Sequence, residues 1–288
     1  MKLEHLHSFL AVAQAGGFRE AMRTTGRSQP TLSQHIARLE ADFGVPLLQR
    51  HHSGSVLTEQ GLLLREYAGS ALAMLEKARD ALTLQRITIG ASSNIGVYLL
   101  PQLLDACRAQ MAVDNIEVRI SDNLQIAEAL QQRQIDIALM EWWDNRPHFV
   151  AAPWCSDALV VIVSPRHRWA QCSSIPAQQL HGQALIGGES ASGTGRVLAD
   201  ALGPLANSLR VGLQLGSTEA VKRAVRADLG ISIVMAASVR EEVEQGQLHA
   251  LTLEDCPLQK QLYLVHGDFW PIHSQVCRFA GLAMQQRN

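Results

Sequence analysis

The chain has 288 residues, enough for about two domains. Its 47% hydrophobic and 18% charged residues are those of a folded globular protein and exclude a disordered one. With 25 Lys/Arg against 27 Asp/Glu, a net charge of −2, no overall basicity marks it for nucleic acid or a membrane surface. Five scattered cysteines without a CxxC pair argue against a disulfide framework or a cysteine zinc site and fit a reducing compartment.

The N-terminal stretch MKLEHLHSFLAVAQAGG is interrupted by Glu4, His5 and His7, and no apolar run approaches a spanning helix. The expected location is the cytoplasm, with no membrane partner. Charge is uneven all the same. Residues 1–65 hold seven Lys/Arg and five acids, a net +2, with five of the eleven histidines. That asymmetry permits a nucleic-acid role.

In chain order, a first helix is predicted from Leu3 to Ala15, with Leu6, Phe9, Leu10 and Ala13 on one face and Gly16-Gly17 ending it. A short helix from Phe18 to Thr25 is followed by Gly26. Ser28 is a good N-cap and Pro30 is tolerated only in a first turn, so a third helix starts at Gln29 and runs to Phe43, before Gly44 and Pro46. Its core face is Leu32, Ile36, Leu39 and Phe43. The other side of its first two turns holds Gln29, Pro30, Thr31, Ser33, Gln34 and His35, hydrogen-bonding residues where a solvated helix would carry Lys and Glu.

The run LLQRHHSGSVLT predicts a hairpin about Ser53-Gly54. Thr58 then caps one long helix, where Leu64, Ala68, Ala71, Leu75, Ala78 and Leu82 are spaced 4-3-4-3-4. That is a coiled-coil seam and predicts a homodimer through this helix.

After Gln85 strands and helices alternate. RITIGAS, NIEVRIS and IDIALM are predicted strands, with helices YLLPQLLDACRAQ and NLQIAEALQQRQ between them, a βαβαβ run that implies a parallel sheet. ALVVIVS crosses out of it. A second series follows: QALIGG, the helix GRVLADAL, LRVGLQL, the helix STEAVKRAVRA, and GISIVMA. LQKQLYLVHGDF returns, and IHSQVCRFAGLAMQQ closes the chain as a helix. The fold class is α/β multidomain: a winged helix-turn-helix over 1–58, a linker and dimerisation helix over 59–84, and a two-lobe α/β effector domain over 85–288. Lobe I takes about 85–161 and 266–288, and lobe II about 162–265.

The helix-turn-helix setting gives the polar face of the third helix a use. Gln can pair bidentately with adenine N6/N7, and Ser and Thr can donate or accept at base edges. A recognition helix enters the major groove N-terminus first, so such residues belong in its first two turns. The capped surface helix that binds nothing is the plainer alternative, and the tri-helical layout favours DNA.

The stretches LHSFLAVAQAGGFREAM, SQPTLSQHIARLEADFGVPLLQR and LTEQG closely resemble the LysR-type transcriptional regulators. The likeness continues through ITIGASSNIGVYLLP, IDIALM and GSTEAVKRAVRADLGISIVM, and so covers essentially the whole chain. It implies a winged helix-turn-helix on double-stranded promoter DNA, dimers through the long helix, homotetramers as dimers of dimers, and an effector domain of periplasmic-binding-protein type. RNA polymerase is a candidate partner. The DNA-contacting positions fall on Ser28, Gln29, Pro30, Thr31, Ser33, Gln34 and Arg38, and on Arg50 at the wing.

The chain departs from its relatives at Thr25 and Arg27, where they commonly place apolar residues; at Gly17, often Ser; at Gln34, often Arg; and in a wing reading His51-His52-Ser53 instead of carrying further Arg. Fewer fixed cations predict a shallower salt dependence. Protonation of the wing histidines predicts tighter DNA binding at pH 6 than at pH 8.

GASSNIG, ESASGTGR and GSTEAV place glycines and hydroxyl residues at strand-to-helix turns, where backbone N–H groups and helix dipoles favour anions. Ser92, Ser93, Asn94, Ser192, Thr194 and Thr218 are therefore expected to ring one small anionic effector; any single one of them is better explained as a helix cap, and it is the convergence of three such turns that favours the site. ESASGTGR also resembles the E-x-G-S-G-T-R stretch of members that sense small oxyanions, with Gly195 in place of Arg; sulfate-, sulfite-, phosphonate- and carboxylate-like ligands stay open. Trp142-Trp143 is read either as a cleft wall or as a cross-lobe or dimer contact.

No serine elbow, HExxH, dinucleotide GxGxxG or carboxylate pair is present, so neither catalysis, a cofactor nor a metal is expected. A transport solute-binding protein or an α/β enzyme are the alternative readings of the second half.

Overall fold

The computed structural model describes residues 1–51, 54–83, 86–108, 110–111, 116–189, 192–268 and 274–286, with the side chains of 50, 51, 54, 77, 80, 81 and 83 outside the description. The chain forms two compact units, one of Met1–Leu84 and one of Gln85–Leu130 with Ile135–Asn288.

The first unit is α1 (Leu3–Ala15), α2 (Phe18–Thr25), α3 (Gln29–Phe43), a hairpin of β1 (Leu48–His51) and β2 (Gly54–Leu57), and α4 (Glu59–Thr83). The three short helices end on left-handed glycines, Gly16, Gly26 and Gly44, which accept that backbone without a Cβ clash. Leu6, Phe9 and Val12 of α1 meet Ala21, then Leu32, Ile36 and Leu39 of α3, in one apolar core.

Two expected core residues lie elsewhere. Phe43 is 46% exposed, because it occupies the last turn of α3 beyond the helix bundle. Val12, not Ala13, completes the buried face of α1.

Thr58 caps α4 through a 2.9 Å bond from Gly61 N to its Oγ1, and its own hydroxyl donates to Pro46 O at 2.7 Å. Within the unit α4 buries Ala68 and Leu72, while Ala71, Leu75, Ala78 and Leu82 of the expected seam are exposed. Leu63 and Tyr67 extend that uncovered apolar face.

The start of α4 is seated by a close approach. A Cβ on Gly61 would stand 2.1 Å from Leu47 O. Gly61→Ala is expected to cost about 1–3 kcal/mol in thermal unfolding followed by circular dichroism, because backbone on both sides must move. Gly69→Ala, in the same helix with nothing within 4 Å of its Cβ, should be neutral or stabilising.

In the second unit β3 (Ile87–Ser92) lies parallel between β4 (Ile116–Ser121) and β5 (Ile137–Met140). The connections run over α5 (Ser93–Tyr98), α6 (Leu100–Cys107) and α7 (Asn123–Gln131). This is the parallel sheet that the βαβαβ run requires. A strand longer than expected, β6 (Phe149–Val163), then links two sheets.

Lobe II adds β7 (Ser174–Ile175), β8 (Leu185–Gly187), α8 (Thr194–Leu202), β9 (Val211–Gln214), α9 (Thr218–Arg226), β10 (Ser232–Met235), α10 (Arg240–Glu244) and β11 (His249–Leu253). The return strand is β12 (Gln259–Gly267), followed by α11 (Gln275–Gln285).

Residues 149–158 of β6 pair with β12, and residues 159–163 pair with β10 and β11. The chain therefore crosses between lobes near residues 158 and 258. All of β12 is paired with β6, and its second half also with β5. Pro153 sits where the β6–β12 register slips, the place a strand tolerates proline. Trp154, skipped in that register, turns its indole N–H to Ala283 O at 2.9 Å.

Candidate functional site

Two surfaces, one in each unit, carry the chemistry. In the first unit Ser28 caps α3, accepting from Thr31 N at 3.4 Å and lying 2.9 Å from the Thr31 hydroxyl. Both hydroxyls are thus committed to holding the helix start. Ser28, Gln29, Pro30, Gln34 and Arg38 are exposed; Thr31 and Ser33 are half-buried.

The side chains of Gln29, Ser33, Gln34 and Arg38 make no hydrogen bond among the described residues. No acidic residue stands in the first turn of α3, so its positive dipole end is uncompensated. A row of unpaired amide, hydroxyl and guanidinium groups on a capped helix start can meet base edges and phosphates together.

His35 leaves that row: its ring faces α1, with Nδ1 2.7 Å from Ser8 Oγ. Arg27, unusual for its position, also turns inward and donates to Ser8 Oγ at 2.7 Å. The side chains of Arg50 and His51, and all of His52 and Ser53, lie outside the described residues.

In the second unit Asn94, Ser192, Thr194 and Thr218 line one cavity of about 210 Å3, with Glu189 and Gln214. Thr218 Oγ1 donates to Asn94 Oδ1 at 2.6 Å, and this bond joins the two lobes. Ser217, one residue before Thr218, is the cap of α9 and accepts from Ala220 N. Ser93 stands outside the lining; its hydroxyl donates to Ser121 O at 3.1 Å. Ser92 is fully buried beside the cleft and its Oγ has no partner. The expected ring of six is therefore four lining residues and two behind them.

Behind the cavity wall lies a buried ion pair that sequence reasoning missed. Lys260 of β12 and Glu141, one residue past β5, are 1% and 2% exposed and directly bonded. Lys260 Nζ also donates to Ser192 O at 2.5 Å and Thr194 Oγ1 at 3.3 Å, which uses all three of its protons. Glu141 accepts from Asn94 Nδ2 at 3.1 Å, and its backbone N–H donates to Asn123 Oδ1 at 2.9 Å. The pair thus ties the glycine–hydroxyl loop of lobe II to two strands of lobe I.

A second link runs from Tyr98 OH to Glu219 Oε1 at 2.7 Å, and Glu219 pairs with Lys222, itself 6% exposed. Partial burial works against the Glu219 charge, but the bonds from Lys222 and Tyr98 hold its carboxyl below the usual range.

Trp142 is a cross-lobe contact. Gly193, at φ +75°, has no room for a Cβ, which would stand 2.5 Å from Trp142 Cδ1. The Arg196 guanidinium lies 4.0 Å over the same indole, a cation–π contact that occupies this arginine. Trp143 instead packs edge-on to Phe149.

Among the described residues that line the cavity, Glu189 alone is charged. Burial pushes its carboxyl above the ordinary range; contact with the Ser93 hydroxyl works against that shift, and the Glu141 and Asp122 charges add to it. Among the described residues no helix is long and apolar enough to cross a membrane.

The family model for the LysR substrate binding domain matches residues 81–279, and that for the bacterial regulatory helix-turn-helix protein, lysR family, matches residues 3–62. A putative HTH-type transcriptional regulator, PtxE of Stutzerimonas stutzeri, is 40% identical over 190 residues, covering 66% of this chain and 97% of its own. A probable RuBisCO transcriptional regulator of Cyanidioschyzon merolae is 30% identical over 275 residues, 91% of each chain. Among solved structures, the regulatory domain of Synechocystis CcmR in complex with 2-PG is similar with a TM-score of 0.60 and 25% identity, covering 69% of this chain and 96% of that one.

Proposed function

Because the chain belongs to the LysR family of bacterial transcriptional regulators, we propose that it reads promoter DNA with the start of α3 and tunes that reading to a small molecule held between its lobes. The observation that carries the DNA half is the row of Gln29, Gln34 and Arg38, exposed, with the half-buried Ser33, whose side chains have no partner among the described residues. Ser28, Pro30 and Thr31 shape and present that row, and Arg50 at the wing supplies a phosphate contact.

The bare face of α4, from Leu63 and Tyr67 through Leu75 to Leu82, supports a homodimer along this helix, and dimers of dimers build a homotetramer. The protein works in the cytoplasm as a regulator and not as an enzyme, with RNA polymerase as the machinery whose access it changes. A band shift on the DNA upstream of its own gene tests the reading; no retardation at low salt overturns it.

Asn94, Ser192, Thr194 and Thr218, backed by Ser92 and Ser93, form the effector site in this reading. Anionic oxygens suit the hydroxyls and the N-terminal N–H groups of α8 and α9. Glu189 adds a condition, since a carboxylate on the wall rejects a ligand that only accepts hydrogen bonds. The effector is then a small oxyanion that keeps a proton to donate, such as hydrogen phosphate, a phosphonate or a hydroxycarboxylate. The likeness to the CcmR regulatory domain solved in complex with 2-PG is in keeping with a small-molecule ligand for this unit.

A thermal-shift series distinguishes these ligands. An effector at 100 times its Kd stabilises by roughly 2.7 kcal/mol, an upward shift of about 5–10 °C for a domain of this size. Sulfate and nitrate, which have no proton at neutral pH, should shift it little; stabilisation by apolar compounds alone would refute the site. Binding biases the balance between lobe arrangements, and the assembly passes that bias to the DNA-reading units.

A further inference from the structure

Helix α1 and the recognition helix α3 meet at a polar cluster that DNA reading does not use. Ser8, 1% exposed, donates its single hydroxyl proton to Glu4 O at 2.9 Å. Its Oγ lies 2.7 Å from His35 Nδ1, and Arg27 NH1 lies 3.2 Å from the same nitrogen. Nδ1 is thus taken up by these two contacts, and Nε2 is the His35 ring nitrogen with no hydrogen bond among the described residues. A buried second partner that fixes the opposite nitrogen is the arrangement metal-bound histidines use.

The His5 ring stands 4.8 Å from the His35 ring at 38°, and His5 Nδ1 is buried with no hydrogen-bond partner. Glu4, one residue earlier on α1, contributes a carboxylate. One ligand atom from each of Glu4, His5 and His35 falls within 4.8 Å of the others. A tetrahedral zinc site has ligand bonds of about 2.0–2.2 Å, so donors about 3.3–3.5 Å apart are needed, and side-chain rotation of the exposed Glu4 and half-buried histidines supplies the difference.

We propose that Glu4, His5 and His35 bind a divalent transition-metal ion of the zinc type and so clamp α1 to α3. Two imidazoles and one carboxylate leave a fourth position for water, and this donor set suits zinc, cobalt, nickel or copper over magnesium or calcium. Two cations face the site. Arg27 NH1 is 3.2 Å from His35 Nδ1, and Lys2 Nζ is 3.5 Å from Glu4 Oε1. Both oppose a bound cation.

The test uses tag-free full-length protein stripped with chelator, titrated with Zn2+ by calorimetry and with Co2+ by visible absorption. The expected result is one ion per chain. His35→Gln and His5→Gln should abolish that uptake, and Glu4→Gln, at an exposed position, should weaken it. Ser8→Ala, which removes only the supporting hydroxyl, should weaken it about 10–100-fold. Circular dichroism shows which variants are folded, and Cys172→Ser controls for an exposed thiol.

Operator affinity with and without Zn2+ reads the consequence for α3. Stoichiometric uptake that survives in both histidine variants overturns the proposal, as does the absence of saturable uptake by the unaltered protein. If either histidine variant fails to fold, an unchanged affinity in both Glu4→Gln and Ser8→Ala overturns it equally.

Discussion

Lys260→Met is expected to destabilise the second unit by about 3–5 kcal/mol, the loss that follows when one partner of a buried ion pair is removed. Glu141 would be left 2% exposed with only Asn94 to balance it, and Ser192 O and Thr194 Oγ1 would each lose a donor. Glu141→Gln should cost somewhat less, since the amide still bonds while the ammonium stays charged. The double variant Lys260→Met/Glu141→Leu should recover much of the loss, because two apolar side chains replace two charges. All five tryptophans lie between residues 142 and 270, so intrinsic fluorescence in a urea titration follows this unit alone.

A functional consequence separates the ion pair from ordinary core. In the double variant the lobe II loop has no cross-lobe ammonium, so the stabilisation by hydrogen phosphate or a hydroxycarboxylate should shrink even where stability has returned. Ligand response equal to that of the unaltered protein would make the pair a packing element alone.

The sequence shows the first unit clearly because its signals are local. Ser28 as cap, Pro30 in the first turn and Gly44 after the last bound α3 within a few residues of each other, and α1 and α2 are closed by Gly16 and Gly26 in the same way. Phe43 misled because periodicity reports a face, not how far along the helix a partner reaches.

The second unit is less legible. Its strands β3, β4, β5 and β12 were visible as apolar runs, but β6 begins in a stretch holding Pro153, Ser156 and Asp157 that does not look like a strand. The buried pair was hidden by separation, Glu141 and Lys260 being 119 positions apart. One cue was available. Strand parity puts Lys260 on the same face as Leu262 and Leu264, both buried, and a lysine on an apolar face calls for a buried acid. Lys222, beside the buried Val221 and Val225, poses the same demand.

The second large effect belongs to α3. Gln29→Ala should lower specific operator affinity by about 1–3 kcal/mol, roughly tenfold to a hundredfold, and adding Ser33→Ala should lower it further. Neither change threatens the fold: Gln29 is exposed, the cap belongs to Ser28, and alanine favours helix. The loss should vary with operator sequence, since base-edge bonds carry the discrimination, and binding to unrelated DNA should hardly move.

Arg38→Ala is the contrasting case. A phosphate contact removed weakens every sequence alike and makes the slope of log affinity against log salt shallower by about one. Anisotropy titrations on operator and scrambled duplexes at several salt concentrations separate the two behaviours. Operator affinity that survives in the Gln29→Ala/Ser33→Ala variant would mean that the unpaired amide and hydroxyl on α3 do not touch bases. The guanidinium and the helix dipole would then account for binding, and specificity would have to come from DNA shape.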